Sequence, residues 1–137
     1  MTEPGPTDGV RIVRIESADD ASRYRTGFIG AYQTIFAGPP YFERFYPSEA
    51  EGIWHKLTTT PGNITVLALD DQEHVVGFGI AIPLKHKPDV ARQLTGLVNI
   101  PRTFYLAELG VLPAWRGRKL GRTLVQARMD LIDPTRW

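Results

Sequence analysis

The sequence has no cysteine and only three histidines. The absence of cysteine excludes disulfides, thiolate metal ligands and a cysteine nucleophile. The three histidines are His55, His74 and His86, and none has a partner at the spacing typical of zinc ligands. The sequence therefore predicts a protein without a metal site.

The sequence also lacks long hydrophobic runs and a strong charge of either sign. Its longest apolar run, residues 75–84, is about half of the ~20 residues that a membrane-spanning helix needs. The first nine residues have neither the basic start nor the apolar centre of a signal peptide. The net charge is +1, which gives no overall field to attract a nucleic acid or a membrane surface. We therefore expect a cytoplasmic protein that binds neither.

The remaining composition is that of an ordinary globular domain. The chain has 137 residues, of which 42% are hydrophobic and 23% charged, values typical of a soluble protein with one core. No internal repeat, low-complexity tract or linker divides it. Residues 1–9 are rich in proline and glycine and predict a flexible segment, which is followed by one domain over residues 10–137.

The hydrophobic pattern predicts four strands and three main helices. Strands are expected at residues 10–15, 64–70, 74–84 and 103–112, with a hairpin between the second and the third. One helix is expected after an N-cap at Asp19 or Asp20, one after an N-cap at Ser48 whose capping box Glu51 completes, and one along the apolar stripe from Leu120. A shorter helix is expected near residues 89–97. This order indicates an α+β fold in which helices pack against an antiparallel sheet.

The turn before the last helix concentrates positive charge. It contains Arg116, Arg118, Lys119 and Arg122, and no Asp or Glu occurs between residues 109 and 129 to neutralise them. The first N–H groups of a helix have no partner within it, and the helix dipole makes that end partially positive. The turn therefore predicts an anion site at the start of the last helix.

Two glycines strengthen the prediction of an anion site. Gly117 and Gly121 carry no Cβ, so a ligand can approach the backbone closely there. The alternative is a solvated loop followed by an ordinary amphipathic helix. The turn is neither a Walker-type loop nor a dinucleotide-binding fingerprint, because the residues that define those motifs are missing. We interpret it as a phosphate cradle with a cationic rim.

The segment YLAELGVLPAWRGRKLGRTLV resembles the central motif of the acetyl-CoA-dependent N-acetyltransferase (GNAT) superfamily. That motif is Arg or Gln, two residues, Gly, one residue, then Gly or Ala. Arg116 and Gly121 fill the first and last places, whereas Lys119 stands where the family usually has its first glycine. The order of elements also matches over residues 10–133. The resemblance implies a mixed, mostly antiparallel sheet with helices on both faces.

The resemblance also implies a cofactor, acetyl-CoA, and the residues that bind it. The backbone of Leu109, Gly110 and Val111 would bind the pantetheine arm as another strand would. The pyrophosphate would be held by the turn, whose residues are Arg116, Gly117, Arg118, Lys119, Leu120, Gly121 and Arg122. The implied reaction is transfer of an acetyl group from acetyl-CoA to a primary amine of a small molecule or protein.

Acetyl transfer to an amine needs a base, and Glu108 is the candidate. It is the only acidic residue on the strand that leads into the turn, and family members recurrently place a base on this strand. The alternatives are a carboxylate that pairs with Arg102 or with a nearby helix residue, or one that points to solvent. Tyr105 is a second polar candidate, although a packed aromatic ring is the simpler interpretation of it.

The segment PPYFERFYP suggests where an amine could bind. It places Tyr41, Phe42, Phe45 and Tyr46 around Glu43, whose carboxylate could attract a cationic amine. An aromatic box for a substrate is one interpretation. A loop that packs its rings onto the sheet is the other.

The sequence departs from the GNAT pattern at its end. Family members continue with a further strand, a helix and usually a hairpin, whereas this sequence stops at DPTRW. We therefore expect a C-terminally incomplete domain without an assignable general acid, and an exposed sheet edge at residues 103–111 that could form a homo-oligomer. A longer natural product, a partner chain and a degenerate remnant all remain open. A non-catalytic acyl-CoA-binding or assembly module is the alternative function, and a nucleic-acid binder is a third.

Overall fold

A computed structural model describes residues 9–133 of the chain. The predicted flexible segment at residues 1–9 therefore lies outside the described residues, except for Gly9. The described part contains four strands, β1 (Arg11–Ile15), β2 (Ile64–Leu69), β3 (Val75–Pro83) and β4 (Phe104–Val111). Its α-helices are α1 (Ala18–Ala37), α2 (Pro47–Thr59), α3 (Pro88–Gln93) and α4 (Leu120–Leu131), and 3-10 turns occur at Leu84–His86, Ile100–Arg102 and Pro113–Trp115.

The four strands form one sheet in the order β1-β2-β3-β4, and each neighbouring pair is antiparallel. The sheet confirms the predicted α+β class and the predicted hairpin between β2 and β3. Both central strands are buried along their whole length, which explains why β2 and β3 read as continuous apolar runs. In the part of the chain that the structure describes, β4 pairs with β3 alone and forms an edge.

Helices cover both faces of this sheet. On one face, α1 and α2 pack a core of large apolar side chains that includes Phe28, Tyr32, Trp54 and Phe78. On the other face, α4 packs Leu120 and Leu124 against Val66, Ala68 and Val76. The predicted two-sided arrangement is therefore confirmed, and it places the N-terminus of α4 at the end of β4.

The first helix begins earlier than predicted. Its N-cap is Ser17, whose Oγ accepts a hydrogen bond from the backbone N–H of Asp20 at 3.1 Å. Asp19 and Asp20, the predicted caps, lie in the first turn, where their charges favour the positive end of the helix dipole. Ser17 is the better cap, because its hydroxyl lies three residues before an N–H that has no acceptor within the helix.

The start of α2 is also shifted from its prediction. The N-cap is Tyr46, and the Glu49 carboxylate accepts a hydrogen bond from the Tyr46 N–H at 2.9 Å. The predicted cap Ser48 lies inside the helix, and Glu51 faces Arg25 on α1 at 3.4 Å instead of completing a capping box. Pro47 decides the boundary, because its fixed φ suits the first helical position.

Candidate active site

The edge of β4 presents backbone groups away from the sheet. The Leu112 N–H donates to the Val76 carbonyl at 2.9 Å, which fixes the register of the pair. Hydrogen-bonded residues alternate along an antiparallel strand, so Gly110 and Glu108 turn their N–H and C=O groups toward β3. Leu109 and Val111 therefore turn theirs outward, toward the edge.

The turn after β4 is tied to this edge by Arg116. Its Nε donates to the Val111 carbonyl at 3.1 Å. One of the outward-facing groups is thus already bonded, which leaves the Val111 N–H and both backbone groups of Leu109 facing the edge. Part of the Arg116 guanidinium therefore holds the turn, while its side chain stays exposed.

The backbone of the turn adopts left-handed conformations at two positions. Gly117 has a φ of +80°, and Lys119, the N-cap of α4, has a φ of 60°. Lys119 is the residue that stands at the usual first glycine of the GNAT motif, and its left-handed φ is the conformation that glycine adopts without a steric penalty. The turn thus holds a lysine in a backbone conformation that favours glycine.

The start of α4 carries amides without a helical acceptor. The first intrahelical bond runs from the Thr123 N–H to the Lys119 carbonyl at 3.1 Å. The N–H groups of Leu120, Gly121 and Arg122 precede it and therefore have no acceptor within the helix. The buried Leu120 side chain, 2% exposed, anchors this end of the helix in the core. The amides therefore form a fixed set of donors with a partial positive charge.

The space above these amides is not filled by packing. A Cβ built on Gly117 would meet nothing within 4 Å, and one on Gly121 would meet Val111 Cγ2 at 4.0 Å. A ligand can therefore reach the backbone at both glycines, as the sequence predicts.

The cations of the turn are exposed around the same point. The Arg118 guanidinium lies over the Trp115 ring, with 4.7 Å between Cζ and the ring centroid. Lys119 and Arg122 are also exposed. Within residues 9–133 none of these three cations forms an ion pair. The stacking on Trp115 was not predicted, but it orders one of the four cations.

Glu108 lies on the α1 side of β4 and pairs with a helix residue. The Tyr32 hydroxyl donates to Glu108 Oε1 at 3.3 Å, one of the alternatives that the sequence leaves open. Burial raises the pKa of the Glu108 carboxyl, whereas the hydrogen bond from Tyr32 and the charge of Lys87 act to lower it. Burial and the neighbouring carboxylate also raise the pKa of Tyr32, which keeps its hydroxyl protonated as a donor. A half-buried carboxylate with a raised pKa suits a general base.

The aromatic segment between α1 and α2 divides into two groups of rings. Phe45 packs against Tyr32 with ring centroids 5.1 Å apart, and its carbonyl accepts a hydrogen bond from Gln33 at 2.9 Å. Tyr41, Phe42 and Tyr46 are 46%, 71% and 75% exposed. The segment therefore combines both interpretations, since Phe45 packs inward beside the Glu108 partner, Tyr41 packs part of its ring against Phe36 at 4.7 Å between centroids, and Phe42 and Tyr46 face solvent. Tyr105, the second polar candidate, packs against the core cluster.

One buried charge at this site was not predicted. Arg128 on α4 is 1% exposed, and its Nη1 donates to the carbonyl oxygens of Ile80 and Glu108, each at 3.0 Å. Burial lowers the pKa of its guanidinium. The signal was its spacing, because Arg128 follows Leu120 and Leu124 at intervals of four and continues their stripe into the core.

The described residues contain no helix that is both long and apolar enough to cross a membrane. They also contain no group of three or more His, Asp or Glu side chains that could hold a metal ion.

The fold has clear relatives among solved structures. An acetyltransferase of the GNAT family from Staphylococcus aureus Mu50 is 17% identical, with a TM-score of 0.60 over 88% of this chain and 65% of that one. The aminoglycoside N-acetyltransferase AAC(6')-Iy, in complex with CoA, is 15% identical, with a TM-score of 0.59 over 88% of this chain and 67% of that one. An aminoglycoside acetyltransferase from an uncultured soil metagenomic sample, in complex with sisomicin, is 17% identical, with a TM-score of 0.61 over 90% of this chain and 69% of that one.

These relatives share the fold with this chain, which spans about two thirds of their length. No curated protein matches the sequence. The profile of the acetyltransferase (GNAT) family matches residues 29–132, which include β4, the basic turn and all of α4. The chain therefore belongs to the GNAT acetyltransferase family.

Proposed function

We propose that this chain transfers an acetyl group from acetyl-CoA to a primary amine of a small molecule or protein. One observation carries the proposal. The β4 edge, the unpartnered amides at the start of α4 and the half-buried Glu108 carboxylate all lie along one strand-turn-helix segment, residues 104–131. Such a segment can bind an extended thioester at one end and its phosphates at the other.

The phosphates of acetyl-CoA fit the start of α4. The amides of Leu120, Gly121 and Arg122 would bind the pyrophosphate, and the space over Gly117 and Gly121 admits it. Coenzyme A carries a further ribose phosphate, which gives the exposed side chains of Arg118, Lys119 and Arg122 an anion to neutralise.

The pantetheine arm fits the edge of β4. The outward C=O of Leu109 and the outward N–H of Val111 offer it the hydrogen bonds of a neighbouring strand, and the outward N–H of Leu109 stays free for the acetyl carbonyl. Gly110 contributes by its lack of a side chain, since a Cβ there would lie 2.6 Å from Phe78 Cζ and would push the strand from the core.

Glu108 would act as the general base. The attacking amine must lose a proton, which passes to the Glu108 carboxylate directly or through one water. The nitrogen forms a bond to the thioester carbonyl carbon, the C–S bond breaks, and the thiolate leaves. A thiol has an ordinary pKa of about 8.5, so the thiolate can depart without an acid and then take a proton from water. The Tyr32 hydroxyl holds the carboxylate in place for the transfer.

The acceptor is proposed to be a cationic amine. The charge of Glu43 raises the pKa of Tyr32. A second carboxylate therefore lies close enough to interact electrostatically with the hydrogen-bonded pair of Tyr32 and Glu108. The exposed rings of Tyr41 and Phe42 could contact an ammonium group through their faces. Two of the structural relatives act on aminoglycosides, which are polycationic amines, and that chemistry agrees with an anionic, aromatic acceptor side.

The same edge could bind a second copy of the chain. The outward groups of Leu109 and Val111 would pair with another strand as readily as with pantetheine, and Leu106 and Leu109 expose 43% and 39% of their surface beside them. We therefore propose that self-association and cofactor binding compete for the edge, in the cytoplasmic setting expected from the sequence.

The test is a calorimetric titration of the chain with acetyl-CoA. Gly121→Glu places a carboxylate among the unpartnered amides, and Gly52→Glu makes the same substitution at an exposed position of α2 with nothing within 4 Å. We expect the native chain and Gly52→Glu to bind equally, and Gly121→Glu to bind about tenfold more weakly or worse, since about 1.4 kcal/mol corresponds to a factor of ten. Equal binding by all three proteins would overturn the phosphate cradle.

A second assay separates catalysis from binding. Release of free thiol from acetyl-CoA is measured across a panel of amines that includes amino sugars, polyamines and lysine peptides. Thiol release that depends on an amine is the expected result. Saturable binding without thiol release from any amine would contradict the transferase and favour the non-catalytic acyl-CoA-binding module.

A further inference from the structure

Arg128 binds the sheet from the face opposite the Glu108 carboxylate. Its guanidinium lies on the α4 face, whereas the Glu108 side chain lies on the α1 face beside Tyr32. The Arg128 Nε has no hydrogen-bond partner among residues 9–133, and no carboxylate lies within ion-pair distance in the same range. A buried cation without a counter-charge is unfavourable for folding, so stability alone is a poor reason for its presence.

The two carbonyls that Arg128 binds mark an irregularity in the sheet. Ile80 pairs with Glu108, but the next residue, Ala81, pairs with Leu106, so that β4 contains one extra residue at Ala107. A bulge of this kind disrupts the hydrogen-bond ladder locally and changes the direction of the strand. Arg128 supplies a donor at the pair that borders the bulge and thereby fixes the backbone there.

The bond from Arg128 also fixes the direction of the peptide that joins Glu108 to Leu109. In a trans peptide the C=O and N–H groups point in opposite directions. Because the Glu108 carbonyl is held toward β3 and α4, the Leu109 N–H points out of the sheet at the edge. A hydrogen bond donated by a cation to the carbonyl also polarises the peptide and strengthens its N–H as a donor.

We propose that Arg128 is a positioning residue for acetyl transfer, an inference that rests on the function proposed above. From the α4 face of the sheet, Arg128 orients the Leu109 N–H toward the thioester carbonyl oxygen. It also keeps the Glu108 carboxylate on the α1 face, which is the side of the amine. As the C–N bond forms, negative charge develops on that oxygen and is stabilised by the N–H. When the C–S bond breaks, an electron pair of that oxygen re-forms the C=O double bond, and the negative charge leaves on the sulfur of the thiolate. Arg128 itself touches neither substrate.

Gly79 fits the same role. A Cβ on Gly79 would lie 3.0 Å from Arg128 Nε and 3.2 Å from its Cδ. The guanidinium passes over β3 only because this position has no side chain. Gly79→Ala therefore displaces the Arg128 guanidinium without changing any charge.

The experiment measures kcat by thiol release and the Kd of acetyl-CoA by calorimetry in the whole chain. Arg128→Lys keeps the charge without the reach of the guanidinium, and Arg128→Met keeps the bulk without a donor. We expect both to lower kcat by about tenfold or more, as loss of an oriented donor does, with Kd unchanged because the phosphates bind two helical turns away. Methylguanidinium should restore part of the kcat of Arg128→Ala. Arg25→Met is the matched control, since Arg25 is exposed and pairs with Glu51 on the surface.

Each outcome is decisive. Native kcat in the lysine and methionine variants would overturn the role of Arg128 and leave the proposed function standing. A parallel loss of kcat and acetyl-CoA affinity would also overturn it, because it would mean a structural role alone. A native chain that releases no thiol would overturn the proposed function and this inference with it. If Arg128→Met does not fold, Gly79→Ala serves in its place, with the same expected loss of kcat at unchanged Kd.

Discussion

The hydroxyl of Tyr32 on α1 donates to the carboxylate of Glu108 on β4, across a distance of 3.3 Å. The bond joins residues 76 positions apart in the sequence. A residue of α1 thereby influences the pKa of a titratable group on the edge strand. The bond opposes the effect of burial, because burial raises the pKa of Glu108 and the hydrogen bond lowers it. Burial, which is the larger effect, and this hydrogen bond together shift the pH range in which Glu108 can accept a proton.

Tyr32→Phe is expected to move the pH dependence of acetyl transfer upward. It removes the hydrogen bond that favours the ionised carboxylate and leaves the burial that disfavours it, so the pKa of Glu108 rises. The acidic limb of the profile of kcat/KM against pH then moves to higher pH. Tyr24→Phe is the control, since Tyr24 lies earlier on α1 and does not contact Glu108. An acidic limb at the same pH in native chain and Tyr32→Phe would contradict the pairing.

Glu108→Gln is expected to lose activity while the fold gains stability at neutral pH. Loss of a general base lowers kcat by about 10²–10⁴-fold. The pKa of Glu108 is raised in the folded state, so the folded chain binds more protons than the unfolded chain between the two values. The stabilisation that the protonated Glu108 carboxyl contributes to the fold is therefore complete below its ordinary pKa. It is lost as the pH rises through the pKa of Glu108 in the folded state. Glu108→Gln should have a higher Tm than the native chain at pH 7, and this gain should disappear near pH 4.

Thermal unfolding of both proteins from pH 4 to pH 8 checks this sign. A glutamine variant that is less stable than the native chain at pH 7 and equally stable at pH 4 would mean that the ionised carboxylate stabilises the fold.

Lys119→Gly is expected to stabilise the chain but weaken acetyl-CoA binding. Lys119 has a left-handed φ of 60°, which costs a residue with a Cβ about 1–2 kcal/mol. Part of this gain is offset by the greater freedom of glycine in the unfolded chain, so the net increase in the free energy of unfolding is up to about 1 kcal/mol. Lys119→Ala is the matched control, because it loses the same charge and keeps the strain. Equal stability of the two variants by urea denaturation would contradict the backbone strain.

Gly79→Ala is expected to destabilise the fold, in contrast to Gly30→Ala. The added methyl group at Gly79 meets Arg128 Nε at 3.0 Å, and overpacking of this kind costs about 1–3 kcal/mol. The same change at Gly30, in α1 with nothing within 4 Å, should stabilise the helix by about 0.5–1 kcal/mol. The double variant Gly79→Ala with Arg128→Met should recover part of the loss, because the two side chains share one space. Additive losses in denaturant unfolding would show that they do not.

The sequence predicts the fold well because each element has a local signal. Each of these signals is contained in a short stretch of sequence. They are the apolar runs of β2 and β3, the periodic stripe of α4 and the polar residues between strands. The helix starts are less well predicted, since Ser48 and Pro47 both suit the beginning of α2 and the ring of Pro47 decides between them. The basic turn is predicted from the sequence because its cations, glycines and helix start are contiguous.

The parts of the site that depend on distant residues are not predictable in the same way. The partner of Glu108 is Tyr32, and choosing it among the helix residues requires the packing of α1 on β4. Arg128 is a typical surface residue by type, and its acceptors lie 48 and 20 positions away on two strands. The residue type of Lys119 does not predict a left-handed backbone, because lysine rarely adopts it, and the only signal is its place at the usual first glycine of the motif.

The central claim is that the backbone between Gly117 and Arg122 binds the diphosphate of acetyl-CoA while the edge of β4 binds its pantetheine arm. A titration of the ¹⁵N-labelled chain with coenzyme A, followed by amide chemical shifts, tests it most directly. The largest shifts are expected at Leu120, Gly121 and Arg122, with further shifts at Leu109 and Val111. Saturating shifts confined to another surface of the molecule, with these amides unmoved, would contradict it.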